Sequence, residues 1–328
     1  MAVPSVQKIL VVGGNGFIGS AICRAALAKG MQVTSVSSSG RPYTTPKGHS
    51  PAWTSKVTWL KGSAQNPSTF SNVLAEVHGV VHTLGTLIED GGKYKQALRE
   101  GDVTKMIGSA LTSVFGSQNP LNRSKQGSYE DVNHDSALRV CEAFLSSGEG
   151  TQFPSPRPFV YISAEDVFRP LISARYVETK REAERDIEAM LSASPEQYRG
   201  VYIRPSLVYH AHYRPLTTPA AAIFDLSATL HRKLPQGIPK PSQVLRQVGN
   251  ALSPHPSTSE NVSLGSSLNS IANALSIPPI HVDHVAEAVA LALVNNSVSG
   301  IVGVQRMREL IGWSFENEHN PQTAQKFT

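Results

Sequence analysis

No acidic residue occurs before Glu76. The chain up to that point carries seven cations (Lys8, Arg24, Lys29, Arg41, Lys47, Lys56 and Lys61), so the formal charge of +5 is concentrated at the start and the remainder is net negative. Cysteine is almost absent: Cys23 and Cys141 sit in helical-looking stretches, which excludes a disulfide scaffold and a cysteine-rich zinc ribbon. No apolar run approaches the roughly 18 residues of a membrane span. The charge is too small and too thinly spread to argue for a nucleic-acid partner. An acid-free, Ser-rich start has the composition of a mitochondrial transit segment. Only about seven residues precede the first strand-like run, however, so an ordinary cleaved presequence is not expected, nor is a secretory signal. What is present suits a globular fold: 328 residues, of which 40% are hydrophobic, suffice for a large core.

Short β-branched runs alternate with helical patterns along the first two thirds. Strands are expected at 8–12, 32–36, 57–60, 80–84, 159–163 and 201–204. Helices are expected at 20–29, ending at Gly30, from Pro67 to about Val77 behind an Asn66 cap, at 129–147 and at 176–192. Residues 93–115 read as partly helical and 116–128 as a polar loop. Strands separated by helices of this length imply an α/β fold with a doubly wound parallel sheet. The last third is less regular. A helix at 217–230 precedes a Pro-, Ser- and Asn-rich stretch at 235–279, then a helix at 283–295 capped by Asp283 and a late strand at 299–304. We divide the chain into a dinucleotide-binding domain at 1–210, a substrate or lid region at 211–280, a helix and strand returning to the core at 281–313, and a tail at 314–328.

Gly13-Gly14-Asn15-Gly16-Phe17-Ile18-Gly19 lies between the first strand and the first helix. A glycine-rich turn in that position lets backbone approach a pyrophosphate, and the helix N-terminus offers N–H groups and a partial positive charge to the anion. The ribose is read at the end of the second strand, where an NAD site places Asp or Glu. Here Ser37-Ser38-Ser39-Gly40-Arg41 stands instead. Hydroxyls and a guanidinium suit a 2′-phosphate that a carboxylate would repel, so NADP(H) is expected over NAD(H).

These pieces, with Val80-Val81-His82-Thr83, Val132-Asn133, Phe159–Ser163, Tyr176-xxx-Lys180, Arg204-Pro205-Ser206-Leu207-Val208-Tyr209 and His281-Val282-Asp283-His284-Val285-Ala286, resemble the extended short-chain dehydrogenase/reductase superfamily. The resemblance implies a Rossmann-type sheet with a smaller, irregular C-terminal substrate region. It assigns Thr83, Leu84 and Gly85 to the dinucleotide wall, and Arg204, Pro205, Ser206 and Val208 to the nicotinamide side. Tyr176 and Lys180 match the proton-handling pair; four residues apart on a helix, they share one face, and the lysine is expected to bond the nicotinamide ribose as well. Ser163 is the candidate third catalytic group, although aligning Asp166-Val167-Phe168 with the family pattern puts Ala164 at the hydroxyl position. The third strand ends in Gly62-Ser63, where members commonly carry an adenine-binding Asp. An atypical member is implied, with an incomplete proton relay.

Among atypical members, the Tyr176–Glu184 helix, Phe159–Ala164, the short start and the long Ser/Pro insert are similar to a fungal mitochondrial group. That group is linked to coenzyme Q (ubiquinone) biosynthesis and related to an accessory subunit of respiratory complex I. It implies a matrix location, peripheral to the inner membrane, a membrane-associated biosynthetic complex as partner, and a small or lipidic quinone-type substrate. A cytoplasmic NADP-dependent reductase or epimerase of a small carbonyl or sugar nucleotide is the alternative, and a non-catalytic nucleotide-binding respiratory subunit a third. No metal is expected, because His281 and His284 straddle a helix start and no Cys or carboxylate set accompanies the histidines at a metal spacing. Leu264, Leu268, Ile271, Ala272 and Leu275 recur at helical spacing, as a lid or a surface-seeking stripe would.

Overall fold

The computed structural model describes residues 6–86, 128–150, 153–167, 169, 172–210, 224–229, 240–251 and 264–313. The expectations for 93–115, for most of 116–128 and 217–230, and for the tail lie outside the described residues. Seven strands form one parallel sheet: β1 (Lys8–Val12), β2 (Gln32–Ser37), β3 (Val57–Lys61), β4 (Gly79–His82), β5 (Arg157–Ile162), β6 (Tyr198–Arg204) and β9 (Gly300–Gly303). Their order is β3-β2-β1-β4-β5-β6-β9. The chain therefore winds outward from β1 in one direction, returns, and winds from β4 in the other. The crevice at the carboxyl ends of β1 and β4 is the switch point where such sheets bind ligands.

Alternation along the strands builds two apolar layers. Ile9 and Val11 face α1 (Phe17–Ala28) and α7 (Val282–Val294), with Ile22, Ala26, Val289 and Leu293 buried there. Leu10 and Val12 face the other layer, where Phe70, Leu74, Phe144 and Ile187 come from Pro67–Phe70, α2 (Ser71–Glu76), α3 (Ser136–Ser146) and α4 (Ala174–Leu191). Burying each such side chain stabilises the fold by about 1.5–3 kcal/mol relative to exposure. The returning segment at 281–313 belongs to this main body: α7 packs on α1, and β9 extends the sheet beside β6.

Several boundaries differ from expectation for local reasons. Helix α1 begins at Phe17, directly after Gly16, because the glycine turn itself delivers the chain into helical geometry. The Asn66 side chain caps nothing; Pro67–Phe70 is a 3-10 turn leading into α2. The helix expected at 129–147 opens with a π-helical segment, Glu130–Asp135, before α3. Strand β4 stops at His82, and Thr83–Thr86 runs on irregularly. His281, rather than Asp283, caps α7: its Nδ1 accepts the Asp283 N–H at 3.2 Å.

The Ser/Pro-rich stretch contains two helices packed together, α5 (Pro241–Ala251) and α6 (Leu264–Ser276). In α6, Ala272 is buried but Ile271 is exposed. A two-stranded sheet, β7 (Val208–Tyr209) with β8 (Ile280–His281), joins this part to the body. Helix α8 (Val304–Leu310) follows β9.

Candidate functional site

The glycine turn lies at the switch point. Gly13 has φ +87°, and a Cβ there would lie 2.6 Å from Thr83 Oγ1 and 2.8 Å from Leu84 Cδ2. Thr83 and Leu84 thus close over the turn, as a dinucleotide wall does. Thr83 is fixed by its own N–H and hydroxyl, both donating to the Val12 carbonyl. Gly14 leaves no room for a side chain beside Ser35 and Cys23. Gly19 sits against the backbone of Gly13 and Gly14, which lets α1 approach β1. Phe17 and Ile18 pack their side chains on the α1–α7 layer. Gly16 differs: it is exposed, and only the Gly13 carbonyl lies near a Cβ built on it, at 3.2 Å. Helix α1 has no capping side chain and no acid in its first turn, so its positive end is uncompensated by carboxylates.

The second half of the candidate nucleotide site is tied to the first. Asn15 Nδ2 donates to Ser39 Oγ at 3.2 Å, and Ser39 Oγ also accepts the Arg41 N–H. Ser37 Oγ accepts the Gly40 N–H at 3.1 Å, and Gly40 takes φ +63° close to Lys61. Ser38 and Arg41 are exposed at this loop. An uncapped helix start, an open glycine and a hydroxyl-rich loop without a carboxylate fit a dinucleotide's pyrophosphate and ribose. Gly13, Gly14, Asn15, Gly16, Ser37, Ser38 and Arg41 would hold it from the β1–β2 side, and Thr83–Gly85 from the β4 side.

The residues that the resemblance assigns to proton handling are more constrained than their spacing suggests. Lys180 is 2% exposed. Its Nζ donates to the Leu84 carbonyl at 3.0 Å and the Ile162 carbonyl at 2.9 Å, clamping the ends of β4 and β5, and it lies 4.7 Å from the Tyr161 ring centroid. Burial lowers its pKa to about 7, against a smaller opposing effect of Glu184. An ammonium has three donors, so one remains for a ligand such as a ribose hydroxyl. Tyr176 is half-buried, its ring edge-on to Tyr129 at 6.0 Å. Ser163 is 3% exposed, and its hydroxyl lies beside the Glu184 carboxylate, near enough to favour the charged form but without full hydrogen-bond geometry.

The segment assigned to the nicotinamide side makes internal contacts. Arg204 is held by Glu184, its Nε donating at 3.0 and 3.1 Å to the two oxygens and its Nη2 to Oε2 as well. The Pro205 carbonyl accepts the Glu165 N–H, Ser206 Oγ donates to the Pro278 carbonyl, and Val208 pairs with Ile280.

The sequence singled out Asn133 as a matching piece but not the polar scaffold it builds beneath these residues. Fully buried Asn133 accepts the Thr86 N–H at its Oδ1, donates to Thr179 from Nδ2, and accepts the Tyr161 hydroxyl at its carbonyl. Glu184 was equally hidden, although its place one helical turn after Lys180 was visible. Burial raises its pKa, and Ser163 and Arg181 work against that rise.

Fold and turn together define a pyridine-nucleotide-binding α/β protein of the short-chain dehydrogenase/reductase type. The chain belongs to the NAD dependent epimerase/dehydratase family, whose profile matches residues 9–251. A relative from Saccharomyces cerevisiae, named MIOREX complex component 2, is 34% identical over 213 residues, covering 63% of this chain and 74% of the relative. An uncharacterized chloroplastic protein of Arabidopsis thaliana is 26% identical over 305 residues, 92% of this chain and 77% of its own. Among solved structures, a 3-oxoacyl-[acyl-carrier protein] reductase from Brucella melitensis in complex with NAD superposes with a TM-score of 0.53 at 12% identity, covering 95% of this chain and all of that one. A short chain dehydrogenase family protein from Francisella tularensis gives 0.50 at 15% identity, over 92% of this chain and 97% of its own. These two bear on the fold alone. Among the described residues, no helix is long and apolar enough to cross a membrane.

Proposed function

We propose that the protein is an NADP(H)-binding, atypical short-chain dehydrogenase/reductase-like protein that supports mitochondrial coenzyme Q synthesis, as a reductase or as a cofactor-bound assembly subunit. The observation that carries the cofactor reading is the Asn15–Ser39 hydrogen bond, which docks an acid-free serine and arginine loop onto the glycine turn. The exposed Arg41 guanidinium would pair with the 2′-phosphate. A bound nicotinamide supplies or accepts a hydride. The chain's own part is to hold the ribose through the remaining Lys180 donor and to move a proton at the Tyr176 hydroxyl, with Ser163, beside Glu184, as the candidate hydroxyl to share a substrate oxygen. The quinone pathway and the mitochondrial location rest on the resemblance of the Tyr176–Glu184 helix and Ser/Pro insert to the fungal group. The yeast relative's name, a complex component, supports a role inside an assembly.

Titration of the purified chain with NADPH and NADH tests the cofactor. NADPH is expected to bind tighter, and Arg41→Ala to remove most of the gap, a loss of about 1–3 kcal/mol for a charge-assisted phosphate contact. Equal affinities in the wild type would sink this reading. Profiling quinone intermediates in a deletion strain separates the two roles. An assembly subunit tolerates Tyr176→Phe but not Gly16→Val; an enzyme tolerates neither; a strain whose quinones match the undeleted parent removes the pathway. The family match favours one second reading, a reductase or epimerase of a small carbonyl or sugar-nucleotide substrate, which predicts ordinary turnover by the isolated protein.

A further inference from the structure

Away from the nucleotide turn, the structure gathers metal-ligating side chains that lie far apart in sequence. His210 directly follows β7, His281 ends β8 and Asp283 lies in the first turn of α7. Parallel pairing of β7 with β8 sets Tyr209 beside His281, which brings His210 to the same corner. One ligand atom from each of His210, His281 and Asp283 lies within 4.8 Å of the others. The two imidazole centroids are 5.0 Å apart.

We infer that His210, His281 and Asp283 form a binding site for one divalent transition-metal ion, with zinc the ion their donors suit best. Two imidazoles and a carboxylate match zinc, whereas calcium and magnesium take oxygen sets. Zinc bonds of about 2.0–2.2 Å place tetrahedral ligands roughly 3.3–3.6 Å from one another. His281 Nδ1 and Asp283 Oδ2 already stand 3.8 Å apart. The other Asp283 oxygen, Oδ1, accepts from Arg24 Nη2 at 2.5 Å, so an outer partner orients the carboxylate and leaves Oδ2 for the ion. An ion at His281 Nδ1 takes the place of the cap bond from the Asp283 N–H.

The His284 ring lies 5.7 Å from that of His281. Arg24 and Arg308 add positive charge here; Asp283 and Asp225, the latter 3.5 Å from Arg308, offset them. Three protein ligands leave a fourth position for water. The ion would pin the small sheet to α7 and, through Arg24, to α1, the helix that opens at the glycine turn.

Chelator-treated full-length protein titrated with zinc chloride in a calorimeter tests this, with magnesium chloride in parallel. One zinc per chain is expected with a Kd of about 1 μM or tighter, a raised melting temperature, and no response to magnesium. His210→Gln and Asp283→Asn are each expected to weaken zinc binding at least about 100-fold. His210→Gln leaves the Arg24 pair intact and carries the test if Asp283→Asn fails to fold. Cobalt(II) should give the intense visible absorption of a tetrahedral site in the wild type and lose it in His210→Gln. No zinc binding by the wild type, or equal binding by His210→Gln, overturns the site.

Discussion

Gly16 and Gly19 occupy the same turn, and the structure gives them opposite jobs. A Cβ at Gly19 would lie 2.8 Å from Gly14 Cα and 2.9 Å from the Gly13 carbonyl carbon, and closer still to the Gly13 oxygen. All three are backbone atoms, and that backbone is pinned: the Gly13 N–H donates to the Val36 carbonyl at 2.8 Å and the Gly16 N–H to the Gly13 carbonyl at 2.9 Å. Gly19→Ala must therefore push α1 off β1. Overpacking of this kind costs about 1–3 kcal/mol, and with no flexible side chain to yield, the upper end applies. At about 2 °C per kcal/mol for a large domain, the melting temperature should fall by about 6 °C. Gly16 has φ −81° and ψ 178°, an extended conformation open to any residue. Gly16→Val costs no more than about 1 kcal/mol, mainly as a poorer N-cap, but sets a branched side chain where a pyrophosphate would lie.

Calorimetric melts with and without NADPH separate the two effects. At about 100 times its dissociation constant, a ligand adds about 2.7 kcal/mol to the native state. Wild type should show that stabilisation, and Gly16→Val should melt close to the ligand-free wild type with or without NADPH. A Gly16→Val chain that binds NADPH as tightly as wild type would falsify the turn as the phosphate site. Gly19→Ala melting together with wild type would refute the clash argument.

Lys180 gives a pH signature. Its folded pKa of about 7 lies below the ordinary 10.5, so between those values the unfolded chain binds the extra proton and stability rises with pH. Compared with Lys180→Met, wild type should gain up to about 1.4 kcal/mol per pH unit above pH 7 in urea melts; parallel pH profiles would count against a lysine whose proton is lost on burial. Glu184→Gln leaves Arg181 and Arg204 facing a neutral group and should cost about 3 kcal/mol by denaturant unfolding, with Arg204→Met in the same chain restoring part of it. An unchanged midpoint would show that the carboxylate carries little of the local stability. Ala164→Ser should raise carbonyl reduction from a wild-type rate well under about 1 per second. Robust wild-type turnover of simple ketones would promote the epimerase or reductase reading.

The strands were legible because each is a short β-branched run bounded by turn residues, and alternation in β1 alone divides the two core layers. Legibility failed where a charge goes inside. Strand β5 was expected to begin at Phe159, yet Arg157 and Pro158 belong to it. Arg157 is buried because its guanidinium donates to the Leu74 and Val77 carbonyls around the end of α2, and lies 4.0 Å from the Phe144 ring centroid. Arg199 does the same at the end of α7, donating to the Ala292, Leu293 and Val298 carbonyls. A cation at a helix C-terminus is favourable, but which helix ends beside which strand is a tertiary fact. The α7 cap was misplaced for a related reason. Aspartate is the commoner capping residue, and only the extended conformation at His281 decides that its ring receives the bond.

The candidate site divides along the same line. Its proposed nucleotide half is built on local backbone, so the glycine spacing between a strand and a helix was enough to point to it. Its proton half depends on what meets α4 from β4, β5 and β6, and there one residue changes the reading. Glu184 stands among Arg181, Glu182, Ala183 and Arg185 and reads as part of a solvated, charged helix, yet it is 5% exposed. Its carboxylate lies against the Ser163 hydroxyl, holds the Arg204 guanidinium through both oxygens and raises the Lys180 pKa against the larger effect of burial. Three residues that resemblance would assign to chemistry or cofactor thus answer to one buried acid. That arrangement favours fixed geometry over a mobile proton: an arginine whose Nε and Nη2 are both committed to Glu184 and a lysine with two of three donors committed have little freedom to follow a reacting oxygen.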